Sequence, residues 1–125
     1  MAKPLEIEGK FKNKLTSLIK GLGPIQKELS LPQLLTLLQI AVNPGLSVND
    51  LAEKLGVPQQ TASRHVSGLL GRYQGAPAGS DLAERSTLDP LIVQEINQND
   101  PRSRALFVSE QGDVFLKKLV SQIEL

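Results

Sequence analysis

Apolar residues in the first stretch of the chain recur at helical spacing. Ile7, Phe11, Leu15, Leu18, Ile19 and Leu22 share one side of a 3.6-residue period, with lysines mostly off the stripe. This predicts an amphipathic helix over 5–22, ended by Gly21, Gly23 and Pro24. Ser30-Leu31-Pro32-Gln33 has the form of a capping box with Pro in the first turn. The LLTLLQIAV run that follows is apolar almost all round, so the predicted helix is a buried one, broken at Asn43-Pro44-Gly45. Ser47-Val48-Asn49-Asp50 repeats the Ser-x-x-acid start, Leu51, Ala52 and Leu55 make a short apolar face, and Gly56 stands where a left-handed cap is needed. Pro58 opens the next helix, whose apolar line is Ala62, Val66, Leu69 or Leu70, and Tyr73.

The period then changes. QGAPAGS is a Gly/Pro/Ala/Ser loop opening an insertion over 74–90, with one or two helical turns predicted from Asp81. LIVQEI is short and β-branched, bounded by Pro90 and by the turn cluster Asn97-Gln98-Asn99-Asp100-Pro101, and Ala105–Val108 follows as a second strand. These make a hairpin over 91–108. Ser109-Glu110-Gln111-Gly112 starts a last helix over 110–124, with Val114, Phe115, Leu119 and Ile123 apolar. The expected fold class is mainly α with one small β-hairpin, in a single domain over 1–125.

Composition narrows the chemistry. Leu occurs 22 times and aromatics make up 3%, the balance of helices packed on helices. There is no Cys and one His, which excludes a disulfide scaffold, a Cys-based metal or cluster site, and cysteine catalysis, and no cofactor or metal is expected. No uncharged apolar run approaches the ~18 residues of a membrane span, and MAKPLEIEGKFKNK lacks a signal-peptide core. A cytoplasmic location with no membrane partner is the expectation.

The net charge of +1 is uninformative; its distribution is not. Residues 1–30 carry six Lys against three Glu, read mainly as the wet face of the first helix. From Lys54 to Ser80 there is no Asp or Glu, and the charged groups are Lys54, Arg64 and Arg72. A carboxylate-free window in an otherwise mixed-charge chain is a candidate surface for a polyanion.

That window overlaps Ser47–Val66, where the residues fit two helices meeting at a tight turn. Ala52 is small enough for close packing, Gly56 tolerates positive φ, and Leu51, Leu55, Val57, Ala62 and Val66 close the corner. The second helix then turns Gln59, Gln60, Ser63, Arg64 and Ser67 outward, flanked by Thr61 and His65. Gln, Ser and Arg are side chains that read base edges and grip phosphates in a major groove. His65 has no second His or Cys with which to share a metal.

The order of elements, a helix, a buried helix, a helix-turn-helix, a β-hairpin and a helix, resembles the MarR-like winged-helix regulators. A second matching piece is Asp100-Pro101-Arg102-Ser103-Arg104-Ala105-Leu106, followed by Val108-Ser109 and Gly112, which is similar to that family's wing running into a helix start. Together the two pieces cover about half the chain. The resemblance implies a winged helix-turn-helix fold and a DNA-binding transcriptional regulator acting on double-stranded DNA as a homodimer. Carried over by position, Gln59, Gln60, Ser63 and Arg64 would read the major groove, with Thr61 and Ser67 beside them and Arg72 on a phosphate near the helix end. Arg102 and Arg104 would be the wing contacts, and Asp100 would brace a wing Arg. Two departures stand out: the 74–90 insertion, through which Arg85 could add contacts, and a C-terminus short for a family whose dimer is built from long terminal helices. The acidic or aromatic ligand pocket that some members use has no counterpart in the sequence, which leaves a small-molecule effector open.

Two other classes of function compete. A winged helix can serve as a protein–protein adaptor module; carboxylates on the Gln59/Ser63 face would favour that, and there are none. An enzyme would have to rest on Asp81, Glu84 and Asp89, the carboxylates grouped in one loop, and no nucleophile–base set accompanies them. The chain therefore reads as no enzyme.

Overall fold

Side-chain caps fix the starts of three helices. The computed structural model describes residues 3–71 and 90–123. These residues form α1 (Gly9–Leu22), α2 (Leu31–Val42), α3 (Val48–Leu55), α4 (Gln59–Leu69), the strands β1 (Ile92–Ile96) and β2 (Arg104–Val108), and α5 (Glu110–Gln122). Ser30 and Ser47 each accept the backbone N–H three residues on, from Gln33 and Asp50, whose side chains return a bond to the cap N–H. Both boxes lie where the sequence predicts them. Ser109 caps α5 by accepting the Gly112 N–H at 3.0 Å.

Three boundaries differ from expectation. α1 begins at Gly9 rather than at residue 5: Glu8 offers no side-chain cap, and Leu5 is 85% exposed and adds no burial to a first turn. Gly21 does not stop the helix but lies buried inside it, because a Cβ there would collide with Ile123; a 3₁₀ turn, Pro24–Lys27, follows. α4 ends at Leu69, with Gly71 in the left-handed region at φ 73°; Tyr73 lies outside the described residues. At the other terminus α5 closes at Gln122, short of 124, as Ile123 turns extended.

The core joins every element after α1. Leu37 and Ile40 of α2, Leu51 of α3, Ala62 and Leu69 of α4, Ile92 of β1 and Leu106 of β2 are all at most 1% exposed. α2 is the central rod, touching α3, α4 and β2. It is not buried all round as its composition suggests: Leu34, Leu37 and Ile40 face the core, while Leu31 (66%), Leu35 (45%) and Val42 (76%) remain exposed. Among the described residues, the exposed side of the rod is left uncovered. α1 packs on α5 and leaves Phe11 and Ile19 largely exposed.

β1 and β2 pair antiparallel, with Ile92 opposite Val108 and Ile96 opposite Arg104. The outer edge of β2 is occupied as well: the Leu106 N–H donates to Leu46 O at 3.0 Å and Leu106 O accepts from Gly45 N–H at 2.8 Å. This clip ties the hairpin to the loop before α3, and Gly45 reaches it at φ 91° beside the Phe107 ring. The hairpin base is tied at a second point. Leu91 N–H donates to Leu69 O, the last residue of α4, while Leu91 O and Pro90 O accept the Ser109 N–H and Oγ–H. These bonds tie Pro90 and Leu91 to the end of α4 and the start of α5; the 74–90 insertion, with Asp81, Glu84, Arg85 and Asp89, lies outside the described residues except for Pro90. A groove of about 580 Å³ runs between the end of α1 and α5, walled by Ile25, Leu29, Leu91 and Phe115 with Lys20 and Lys118 at its edges. Among the described residues no helix is long and apolar enough to cross a membrane.

Candidate nucleic-acid interface

The turn between α3 and α4 is built as the sequence requires. Gly56 adopts φ 67°, ψ 35°, and its N–H bonds to Glu53 O at 3.2 Å while Val57 N–H reaches Ala52 O at 3.1 Å. This paired closure satisfies the last carbonyls of α3 and needs a residue free of the left-handed penalty at its corner. Ala52, 7% exposed, lets α4 approach α3 closely. Pro58 then stands as the N-cap of α4 with extended backbone and no side-chain cap.

α4 buries Ala62, Val66 and Leu69, and this orients the rest of the helix. Gln59, Gln60 and Arg64 are exposed, and Thr61, Ser63, His65 and Ser67 are half-buried around them. At 100° per residue, Gln60, Arg64 and Ser67 lie on the line opposite the core, with Ser63 on one flank and Thr61 and His65 on the other. Gln59 sits nearer the buried edge and is exposed because it lies in the first turn. Arg72 lies outside the described residues, so the structure assigns it no place.

The face is electrically one-sided. No acidic residue stands in the first turn of α4, and among the described residues no carboxylate pairs with Arg64; the ion pair seen there is Lys117–Asp113 on α5. His65 is held below its usual value of 6.5, first by burial and then by the neighbouring Arg64 guanidinium, so the imidazole is neutral at neutral pH. An uncharged imidazole beside an unpaired guanidinium leaves Arg64 as the cation of the face.

The wing presents its arginines on a tightened tip. Asn97 N–H bonds to Ser103 O, Asp100 N–H to Asn97 O and Ser103 N–H to Asp100 O, closing the loop in successive turns. Arg102 is exposed; Arg104 is exposed with its Nη1 donating to Pro101 O at 3.3 Å. Asp100 does support Arg102, but through the backbone: its Oδ1 accepts the Arg102 N–H at 3.1 Å, in a local Asx-type turn. This brace shapes the loop and leaves the Arg102 side chain without an acidic partner among the described residues. Sequence reasoning missed the clip from Gly45 and Leu46 to Leu106, which aims the wing relative to the α3–α4 unit. Three residues after a helix-breaking Asn-Pro carry too little pattern to be read as strand.

Comparison with known proteins bears on this geometry. The sequence profile of the MarR family matches residues 27–72, the segment from the 3₁₀ turn through α4. No curated protein sequence matches the chain significantly. Solved structures do. The Staphylococcus aureus MepR–DNA complex is 20% identical with a TM-score of 0.58, over 90% of this chain and 75% of that one. The transcriptional repressor CouR bound to a 23-mer DNA duplex is 18% identical with a TM-score of 0.61, over 97% and 80%. The apo form of wild-type MarR from Escherichia coli is 14% identical with a TM-score of 0.62, over 97% and 79%. The helix-turn-helix segment thus matches the MarR-family profile, and the fold is that of the winged helix-turn-helix structures compared above.

Proposed function

We propose that the chain is a DNA-binding transcriptional regulator that sets α4 in a major groove and lays its wing along the neighbouring minor groove. The observation that carries this is the carboxylate-free outer line of α4, where Gln60 and Arg64 stand exposed without acidic partners. Arg and Gln are the side chains that form paired hydrogen bonds to guanine and adenine edges. Gln59, Thr61, Ser63 and Ser67 would complete that surface, and Arg102 and Arg104 would follow the negative potential of the minor groove. The fold shared with MepR and CouR, both solved on DNA, supports the same reading.

One α4 reads only a few base pairs, so the active form is a homodimer on a two-fold site about one helical turn apart. Phe11 and Ile19 on α1, and Val114 and Val120 on α5, are at least 50% exposed in the single chain and offer the apolar surface for it. The protein would act in the cytoplasm, with DNA as its partner and without catalysis.

Selection of binding sites from random duplexes, with the mass of the bound species by light scattering, tests this directly. Arg64→Ala is expected to cost about 1–3 kcal/mol and to relax preference at one or two positions. Arg102→Ala should weaken all sequences evenly and lower the salt slope by roughly one counterion-releasing contact per monomer. Failure of the native protein to bind any duplex at low salt, or a 13.6 kDa particle on DNA, would refute the reading.

A further inference from the structure

From the wing we infer that Ile96 is a DNA-contacting residue, the apolar half of a paired element whose basic half is Arg104. This inference rests on the DNA-binding reading and concerns how the wing engages its groove. Side chains on one face of β1 run from the core outward: Ile92 is fully buried, Gln94 is half-buried, and Ile96 is 63% exposed. A strand leaving a core into water is expected to go from apolar to polar along such a row. Here the order is reversed at its end, with the polar residue in the middle and a β-branched aliphatic at the solvated tip. Glu95, the one carboxylate of β1, points to the opposite face.

The register supplies the partner. Ile96 lies directly opposite Arg104 in the last pair before the loop, so the two side chains share a face and stand within about 5 Å at Cβ. Arg104 is steadied over the tip by its bond to Pro101 O, and the loop beyond is closed by the turns at Asn97 and Asp100. An aliphatic group and a guanidinium side by side on a preformed tip match a minor groove, whose walls are deoxyribose carbons and whose floor is electronegative. The Arg supplies the charge attraction, and Ile96 packs against the sugar wall and excludes water.

The test compares Ile96→Thr and Ile96→Leu with the native protein on the selected duplex at several salt concentrations, alongside thermal unfolding. Because Ile96 is exposed, both variants should melt with the native protein. Ile96→Thr should lose about fivefold to tenfold in affinity, the size expected when one aliphatic contact is removed. Its salt dependence should be unchanged, since no phosphate contact is lost. Ile96→Leu should recover most of the affinity. Native affinity in Ile96→Thr, or a changed salt slope, overturns the assignment while leaving the function intact. Absence of binding by the native protein overturns the function itself.

Discussion

Gly112 is where a single methyl group should do most damage. It is the third residue of α5, buried, and a Cβ built on it would run into the Leu91 carbonyl oxygen and lie 2.7 Å from Val108 Cγ1. That carbonyl is already committed: it accepts the Ser109 N–H at 3.0 Å at the base of the wing, beside the Ser109 Oγ–H bond to Pro90 O at 2.7 Å. Gly112→Ala must push α5 off Leu91 and β2 or break this joint. Overpacking a tight site costs about 1–3 kcal/mol, and losing the Ser109–Leu91 bond adds about 1 kcal/mol. The better helix propensity of Ala returns up to about 1 kcal/mol. The net expectation is destabilisation of about 1–3 kcal/mol, or a melting point lower by roughly 5–12 °C for a domain of this size. Gly9→Ala is the internal control: it lies in the first turn of α1 with nothing within 4 Å of the added methyl. It should be neutral or mildly stabilising by the same propensity. Thermal and urea unfolding by circular dichroism measure both. A Gly112→Ala variant that melts with or above the native protein would show that α5 does not seat on the Leu91 carbonyl.

Two further outcomes follow from the α3–α4 unit. Gly56→Val should cost about 1–3 kcal/mol from backbone strain at positive φ, since nothing lies within 4 Å of its Cβ; Gly56→Asn should cost less because Asn tolerates that region, and equal urea midpoints for the two would refute the strain account. Protonating His65 favours the unfolded chain because its folded value lies below 6.5. Its contribution to stability is therefore complete above 6.5 and is lost as pH falls from there through the lowered value. The urea midpoint of the native protein should drop between about pH 7.5 and about pH 5.5, and His65→Gln should reduce that drop; an unchanged drop would assign it to other groups.

The proposed DNA-reading surface was legible because its logic is local. Gly56 takes positive φ whatever surrounds it, the Ser30 and Ser47 boxes close over three residues, and the period of Ala62, Val66 and Leu69 decides by itself which side of α4 faces outward. Gln60 and Arg64 follow from that period alone. The hairpin was readable on the same terms, from a β-branched run and a turn cluster, to within a residue of each strand.

What the sequence could not determine depends on residues far apart in the chain. Gly21 reads as a helix stop and is instead a packing site, because Ile123, about a hundred positions later, occupies the space of its side chain. The LLTLLQIAV run reads as buried all round; how much of α2 is covered depends on which elements reach it, and with α3, α4 and β2 against it Leu31, Leu35 and Val42 are still exposed. The direction of the wing is set by the Gly45–Leu46 clip on Leu106 and by Ser109 on Pro90 and Leu91. Those bonds form only after the chain has folded back on itself, and no local pattern encodes them. The sequence by itself thus determined which side chains α4 turns outward, through short-range periodicity and turn chemistry. The tertiary structure decided how the reading helix and the wing are held relative to one another, through backbone bonds between segments that propensity cannot connect.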